Sequence, residues 1–323
     1  MSTLTRTVTG RRDRPATKPG AKRRSLSISV LAAAVLALVA SACGNGLEQR
    51  VASGEEAYVA NMASQADPGT TVATLNLQSK KAGAPVKLGA DPAALALAKD
   101  STRLLVANYG ADTVSIVNTA TNTAFATVKV GLEPDALAVD PAGDLALVAD
   151  FGDGMVTPIN LSDSKALPPI RVGNPQSSEP DAIAISANGN LALVADFGDG
   201  MVTPIELSGL KTLPPIRVPG GPRSIAVSSN GPSGPVAYVA SGTSLYPINL
   251  EDLSVGNPIP VGQVAEAVAI QSRSSTAFVA DEAGLVTPVN LRDGKAGTPI
   301  AVGGRPFAIV ITSFKQGPVS KGP

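Results

Sequence analysis

An all-β ring of repeated antiparallel sheets is the fold class this sequence predicts, on three observations. The fifteen residues Leu145 to Ile159, LALVADFGDGMVTPI, recur letter for letter at Leu191 to Ile205. A motif of the form Pro-x-Ala-Ile-Ala-Ile returns every 41 to 46 residues, a period typical of propellers and repeat arrays. Aromatic residues make up only 3% of the 323-residue chain and Trp is absent, so a core must come from short runs of Val, Ile, Leu and Ala.

Each unit begins with the Pro-x-Ala motif: PAALAL at Pro92, PDALAV at Pro134, PDAIAI at Pro180, PRSIAV at Pro222, AEAVAI at Ala265 and PFAIVI at Pro306. A second apolar run follows a polar turn, as LALVAD at Leu145 and TAFVAD at Thr276. A third reads TVSIVN at Thr113 or MVTPIN at Met155, and a fourth ATVKVG at Ala126 or PIRVG at Pro169. Four runs of about five residues separated by turn residues are four strands of a meander, and no helical period competes.

The first unit, AYVAN at Ala57, TVATLN at Thr71 and APVKLG at Ala84, lacks a first run, whereas PFAIVI lacks the other three. Joining the two fragments predicts a six-bladed β-propeller of four-stranded antiparallel blades over residues 57–312. The C-terminal strand would close it by pairing with the three N-terminal strands, leaving no sheet edge at the seam. Residues 313–323 form a tail. Alternating small and large side chains in the first run (Ala136 and Ala138, Ala182 and Ala184) suit a strand near the axis, where sheets converge. Pro158, Pro204, Pro247 and Pro288 fall inside the third run, where a bulge or a missing ladder bond is expected.

The N-terminus has a different character. Of the 26 basic and 26 acidic residues, eight and one fall in residues 1–42, so the remainder carries a net charge of about −7. Such a body argues against nucleic acid as a partner, because phosphate binding needs concentrated positive charge. The basic leader is followed by an apolar run from Leu26 to Ala42, which together predict a signal peptide over residues 1–42. The run ends Val39-Ala40-Ser41-Ala42-Cys43-Gly44, which resembles the lipobox of bacterial lipoproteins, with Ala40 where that family prefers Leu. The resemblance implies lipid attachment at Cys43, a tether over 43–56, and residence on the extracytoplasmic side of a cell membrane. An ordinary secretory signal cut at the same small residues is the alternative.

The stretch VANYGADTVSIVNTATNTAFATVKVG, Val106 to Gly131, resembles the YVTN-type bacterial β-propeller repeat, with its Val-x-Asn strand end, Val-Ile-Asn-Thr strand and closing Val-Gly. The likeness covers roughly residues 57–312. It implies a propeller fold and leaves function open, since propellers host unrelated activities. By that family's layout, two loop sets share one face of the ring. One set gathers Asn61, Asn108, Asp150, Asp196, Ser241 and Asp281 at the ends of the second strands. The other places Asp91, Asp135, Asp181, Arg223, Glu266 and Phe307 beside the axial opening.

These residues are candidate ligand contacts for a cationic, sugar-like or peptide ligand. Asn and Asp also end strands by bonding nearby backbone, which is the structural alternative. The chain has no His, which removes the usual general base and the commonest neutral metal ligand, and its single Cys excludes a thiolate zinc cage. No metal or cofactor is expected. The favoured reading is a non-catalytic binding scaffold for a small molecule or an envelope protein. A carboxylate hydrolase or lyase using Asp135 and Asp181, and a structural or adhesion component, remain alternatives.

Overall fold

The computed structural model describes residues 35–38, 56–61, 69–76, 81–98, 101–231, 234–271, 275–306 and 308–309. Among them the sole helix is the 3-10 turn Tyr109–Ala111; the regular structure is otherwise strand. The strands form six separate antiparallel sheets of four or five members, in chain order. The third sheet is representative. Its first strand, Pro134–Val139, pairs with Leu145–Asp150, which pairs with Met155–Asn160, whose outer side carries the short pieces Lys165–Ala166 and Ile170–Arg171.

First strands of neighbouring sheets pack on one another from the second sheet to the sixth. Side chains alternate across each first strand, and this period-2 rule divides the core into seams. Leu137 and Val139 point back to the second sheet, joining a cluster with Leu105, Val114 and Ile116. Ile183 and Ile185 likewise reach back to Leu147 and Val156 of the third sheet. Ile225 and Val227 reach back to Leu193 and Val202 of the fourth. The methyl of Ala226 faces forward, against the cluster with Val268 and Val279 of the sixth sheet. Large residues backward and small ones forward let successive sheets converge at their first strands, as the alternation in the sequence implies.

Of the two outcomes expected at the third-run prolines, the missing ladder bond is the one that occurs, on their outer side. Register between second and third strands runs unbroken through Leu147↔Pro158 and Leu193↔Pro204, so no bulge forms there. The Pro158 carbonyl accepts from Leu167 N at 2.8 Å, so the side of the residue that lacks an N–H faces the fourth run. There the outer strand splits in two. The first sheet separates the two possible causes: it has Thr74 rather than Pro in its third run, yet its outer strand also splits, into Lys81–Ala82 and Val86–Lys87. What it shares with the split sheets is a proline in the fourth run, here Pro85, elsewhere Pro169, Pro215 and Pro299. The second sheet has Thr127 at that place, and its outer strand Thr123–Lys129 is continuous.

One expectation is corrected. The strand beside Glu56–Asn61 is Val35–Leu38, with Val35 opposite Ala60 and Leu38 opposite Ala57, where the C-terminal strand was expected. Of the latter segment, Pro306, Ala308 and Ile309 are described and lie outside any strand.

Candidate functional site

The first strands of the second to sixth sheets carry the site residues, because each of those five has a one-residue bulge. Register shifts between Pro92 and Ala94, Pro134 and Ala136, Pro180 and Ala182, Pro222 and Ser224, and Ala265 and Ala267. The extra residues are therefore Ala93, Asp135, Asp181, Arg223 and Glu266. A bulge re-aims the side chain it carries and ends regular pairing, which makes it a common support for functional groups.

Asp91 is not one of this set. Its carbonyl accepts from Tyr109 N at 2.8 Å, as the Glu133 carbonyl accepts from Phe151 N at 3.1 Å, and both residues have positive φ, 56° and 53°. Asp91 is thus the counterpart of Glu133, and Ala93 is the counterpart of Asp135. Phe307 lies outside the described residues, as does Cys43.

Two members of the bulge set meet directly. Arg223 Nη1 lies 3.9 Å from Glu266 Oε2, with side chains 11% and 13% exposed. The Arg223 guanidinium also sits over the ring of Phe197, 4.1 Å from its centroid, so three consecutive sheets converge on one cation. Asp135 is buried and Asp181 is partly exposed.

The strand-end set is placed differently. Asn108, Asp150 and Asp196 are fully buried, and Ser241 and Asp281 are 1% exposed, so they line no open mouth. The strand containing Asn61 is described but its side chain is not. These residues bond across seams and within turns. Asn108 Nδ2 donates to Thr113 Oγ1 at 3.1 Å and Ser115 Oγ at 2.9 Å. Ser241 Oγ donates to the Pro219 carbonyl of the preceding sheet at 2.8 Å. Asp281 Oδ1 accepts from Ala283 N and Leu285 N at 2.9 and 3.1 Å. The bland reading, acids that tie strand ends to backbone and hydroxyls, holds for most of this set.

Four of these side chains, Asn108, Asp150, Asp196 and Asp281, lie against the closing glycine of the preceding sheet, while Ser241 meets Pro219 instead. A Cβ on Gly89 would stand 2.9 Å from Asn108 Cγ, and one on Gly131 would stand 2.7 Å from Asp150 Cγ. The closing glycine is therefore a fitting requirement at those seams. Gly131→Ala is expected to lose about 2 kcal/mol in urea unfolding, the usual cost of overpacking a tight contact. An unchanged midpoint would remove this explanation.

The two letter-identical segments meet different neighbours. Asp196 accepts from Ser178 Oγ at 2.6 Å and Glu179 N at 2.8 Å, both from the connector 172–179, which is four residues longer than the others. Asp150 accepts from Thr157 Oγ1 at 2.5 Å, and its Oδ1 is buried with no hydrogen-bond partner. Burial pushes the Asp150 carboxyl up from 3.8 to about 7, against the pull of Thr157, with Asp153 and Asp112 adding repulsion. Burial also raises Asp196, while its bonds to Ser178 and Glu179 oppose the shift.

Two depressions lie away from the bulge residues. One of about 300 Å³ is lined by Tyr109, Gly110, Asp112, Leu132, Glu133 and Gly152; the other, about 470 Å³, lies between the outer strands of the fifth and sixth sheets. Among the described residues no group of three His, Cys, Asp or Glu side chains is arranged to hold a metal.

No family model and no curated protein matches the sequence. A solved structure does match in shape: a chain titled Kuenenia stuttgartiensis Hydrazine Synthase superposes with a TM-score of 0.65, covering 78% of this chain and 85% of that one. The fold is β-propeller-like. Sequence identity over that propeller-like match is 16%, so the likeness carries the architecture and not the activity.

Proposed function

We propose that this chain is a cell-envelope lipoprotein whose six sheets are the blades of a closed YVTN-type propeller, and that it binds a cationic partner without catalysing a reaction. One observation supports the reading above the rest. Asn108, Asp150, Asp196 and Asp281 keep a buried polar residue at the end of each second strand, while the bulge position changes from Ala93 to Asp135, Asp181, Arg223 and Glu266. Copies of one unit that share their scaffold chemistry and differ at one ring of positions are built to present a particular pattern of charge there. That pattern is mainly acidic, as is the body of the chain once residues 1–42 are set aside. Cys43 would carry the lipid, and 43–56 would tether the propeller to the membrane.

Tetralysine and a neutral tetrasaccharide are suitable probes in calorimetry with the purified full chain. Asp181→Asn with Glu266→Gln is expected to weaken tetralysine binding at least tenfold at low salt and to leave the thermal midpoint within a few degrees. Unchanged affinity in that variant, with loss in an Asp112→Asn/Glu133→Gln variant, would move the site to the 300 Å³ depression. Metabolic labelling with a fatty acid, lost on Cys43→Ser, tests the anchor.

A further inference from the structure

The first and fifth sheets place a tyrosine at the same point of the second strand, and the two hydroxyls meet different surroundings. Tyr58 stands opposite Thr74 and Tyr238 opposite Pro247, in matching registers. Both rings are buried, at 3% and 2% exposure. Each reaches toward the sheet that follows, Tyr58 to the second and Tyr238 to Leu291 of the sixth. Tyr58 Oη donates to Asn122 Oδ1 at 2.8 Å. Among the described residues nothing bonds the Tyr238 hydroxyl, which lies in the wall of the depression between the fifth and sixth sheets.

The repeat shows where the two seams diverge. Asn122 is the left-handed residue of the turn that leaves the third strand, at φ 53°, and its counterparts are Ser164, Leu210, Leu253 and Gly294, at 55°, 50°, 61° and 65°. The sheet that faces Tyr238 thus carries glycine at the place from which Asn122 reaches Tyr58. A Cβ on Gly294 would meet only Ile259, at 3.8 and 3.9 Å, an ordinary contact, so the glycine is not required by packing. On the opposite wall Gly256 N donates to the Pro247 carbonyl at 2.8 Å, as Leu167 and Leu213 donate to those of Pro158 and Pro204. A leucine side chain of the third and fourth sheets is therefore replaced by hydrogen. Two small residues, one on each wall, leave a depression of about 470 Å³, a size that suits a small molecule. Its sides are apolar at Pro247, Pro258, Ile259 and Leu291, and exposed Arg292 and Asp293 at its edge cancel in charge.

We propose that this depression binds a small neutral amide with an apolar body, whose carbonyl oxygen accepts from Tyr238 Oη as Asn122 Oδ1 accepts from Tyr58 Oη in the first seam. The ligand's carbonyl supplies the acceptor that a largely desolvated hydroxyl needs, and its body covers the proline, isoleucine and leucine faces. The site is separate from the acidic bulge residues and does not depend on them.

Benzamide, benzoate and benzylamine share one ring and differ in charge, so calorimetry of the purified full chain with each reads the chemistry. Benzamide is expected to bind saturably in the millimolar range, more tightly than either charged probe. Tyr238→Phe is expected to weaken benzamide binding about tenfold and to leave the thermal midpoint within a few degrees, since the hydroxyl it removes makes no bond in the protein. Gly294→Asn installs the carboxamide of the first seam at a backbone angle that Asn accepts, and is expected to abolish benzamide binding while holding or raising the midpoint. Tyr58→Phe removes a hydroxyl that Asn122 already holds, and should leave benzamide affinity as it was. Benzamide that fails to bind, that binds no better than benzoate or benzylamine, or that binds the Tyr238→Phe chain equally well overturns the proposal.

Discussion

Asp150→Asn is expected to raise the unfolding free energy at pH 8 by about 3 kcal/mol, and by progressively less as the pH falls toward 4. The Asp150 carboxyl is fully buried, keeps one oxygen without a donor, and is pushed up to about 7. Between about pH 4 and pH 7 the folded chain therefore holds a proton that the unfolded chain has released. Folded stability falls as pH rises through that window and levels off above it, because the folded state then carries a buried charge that the unfolded state solvates freely. Asn removes this cost, and the fold already accepts Asn there: Asn108 holds the same place in the second sheet and donates to Thr113 and Ser115. Urea titrations from pH 5 to pH 8 check it. A slope that survives the substitution would mean that another group carries the linkage. Asp196→Asn should gain less, since its carboxylate already has Ser178 and Glu179 as donors.

Ile309→Asp should cost the closed ring of the proposed reading about 4 kcal/mol, comparable to deleting a large buried side chain and adding an unpaired charge. In the structure Ile309 is half-buried and outside any strand. Thermal unfolding of the purified chain reads the difference, and a loss near zero would mean that the last strand does not seal the ring.

The strand runs were legible because burial on alternate faces writes itself as a period of two, and Pro-x-Ala marks the start of each unit. The six-sheet count followed from that repetition. The bulge was less legible. Asp91 sits next to Pro92 and matched by letters, but pairing aligns Asp91 with Glu133 and makes Ala93 the bulged residue. The strand-end acids read as a mouth because polar residues in loops usually face water; here a closing glycine lets the next sheet approach and bury them. A missing ladder bond at the third-run prolines was legible, but the splitting of the outer strands was not, since only comparison with Thr74 and Pro85 of the first sheet shows that the fourth-run proline decides it. The occupancy of the Glu56–Asn61 edge could not be read from pattern, because both Val35–Leu38 and Pro306–Ile311 are apolar runs of the right length.

The divided outer strands bear on how the molecule behaves in a crowd. Two-residue fragments interrupted by proline, with exposed Lys81, Lys165, Lys211 and Lys295 on four of them, give a visiting chain too little backbone to zip onto and a charge to overcome. Among the described residues the second sheet alone keeps seven consecutive residues on its flank, Thr123–Lys129, and there a bulge at Phe125, 55% exposed, interrupts the regular edge. Proline on some flanks and a bulge on the other thus reach the same end: no described flank offers a second copy of the protein a long regular edge to stack against.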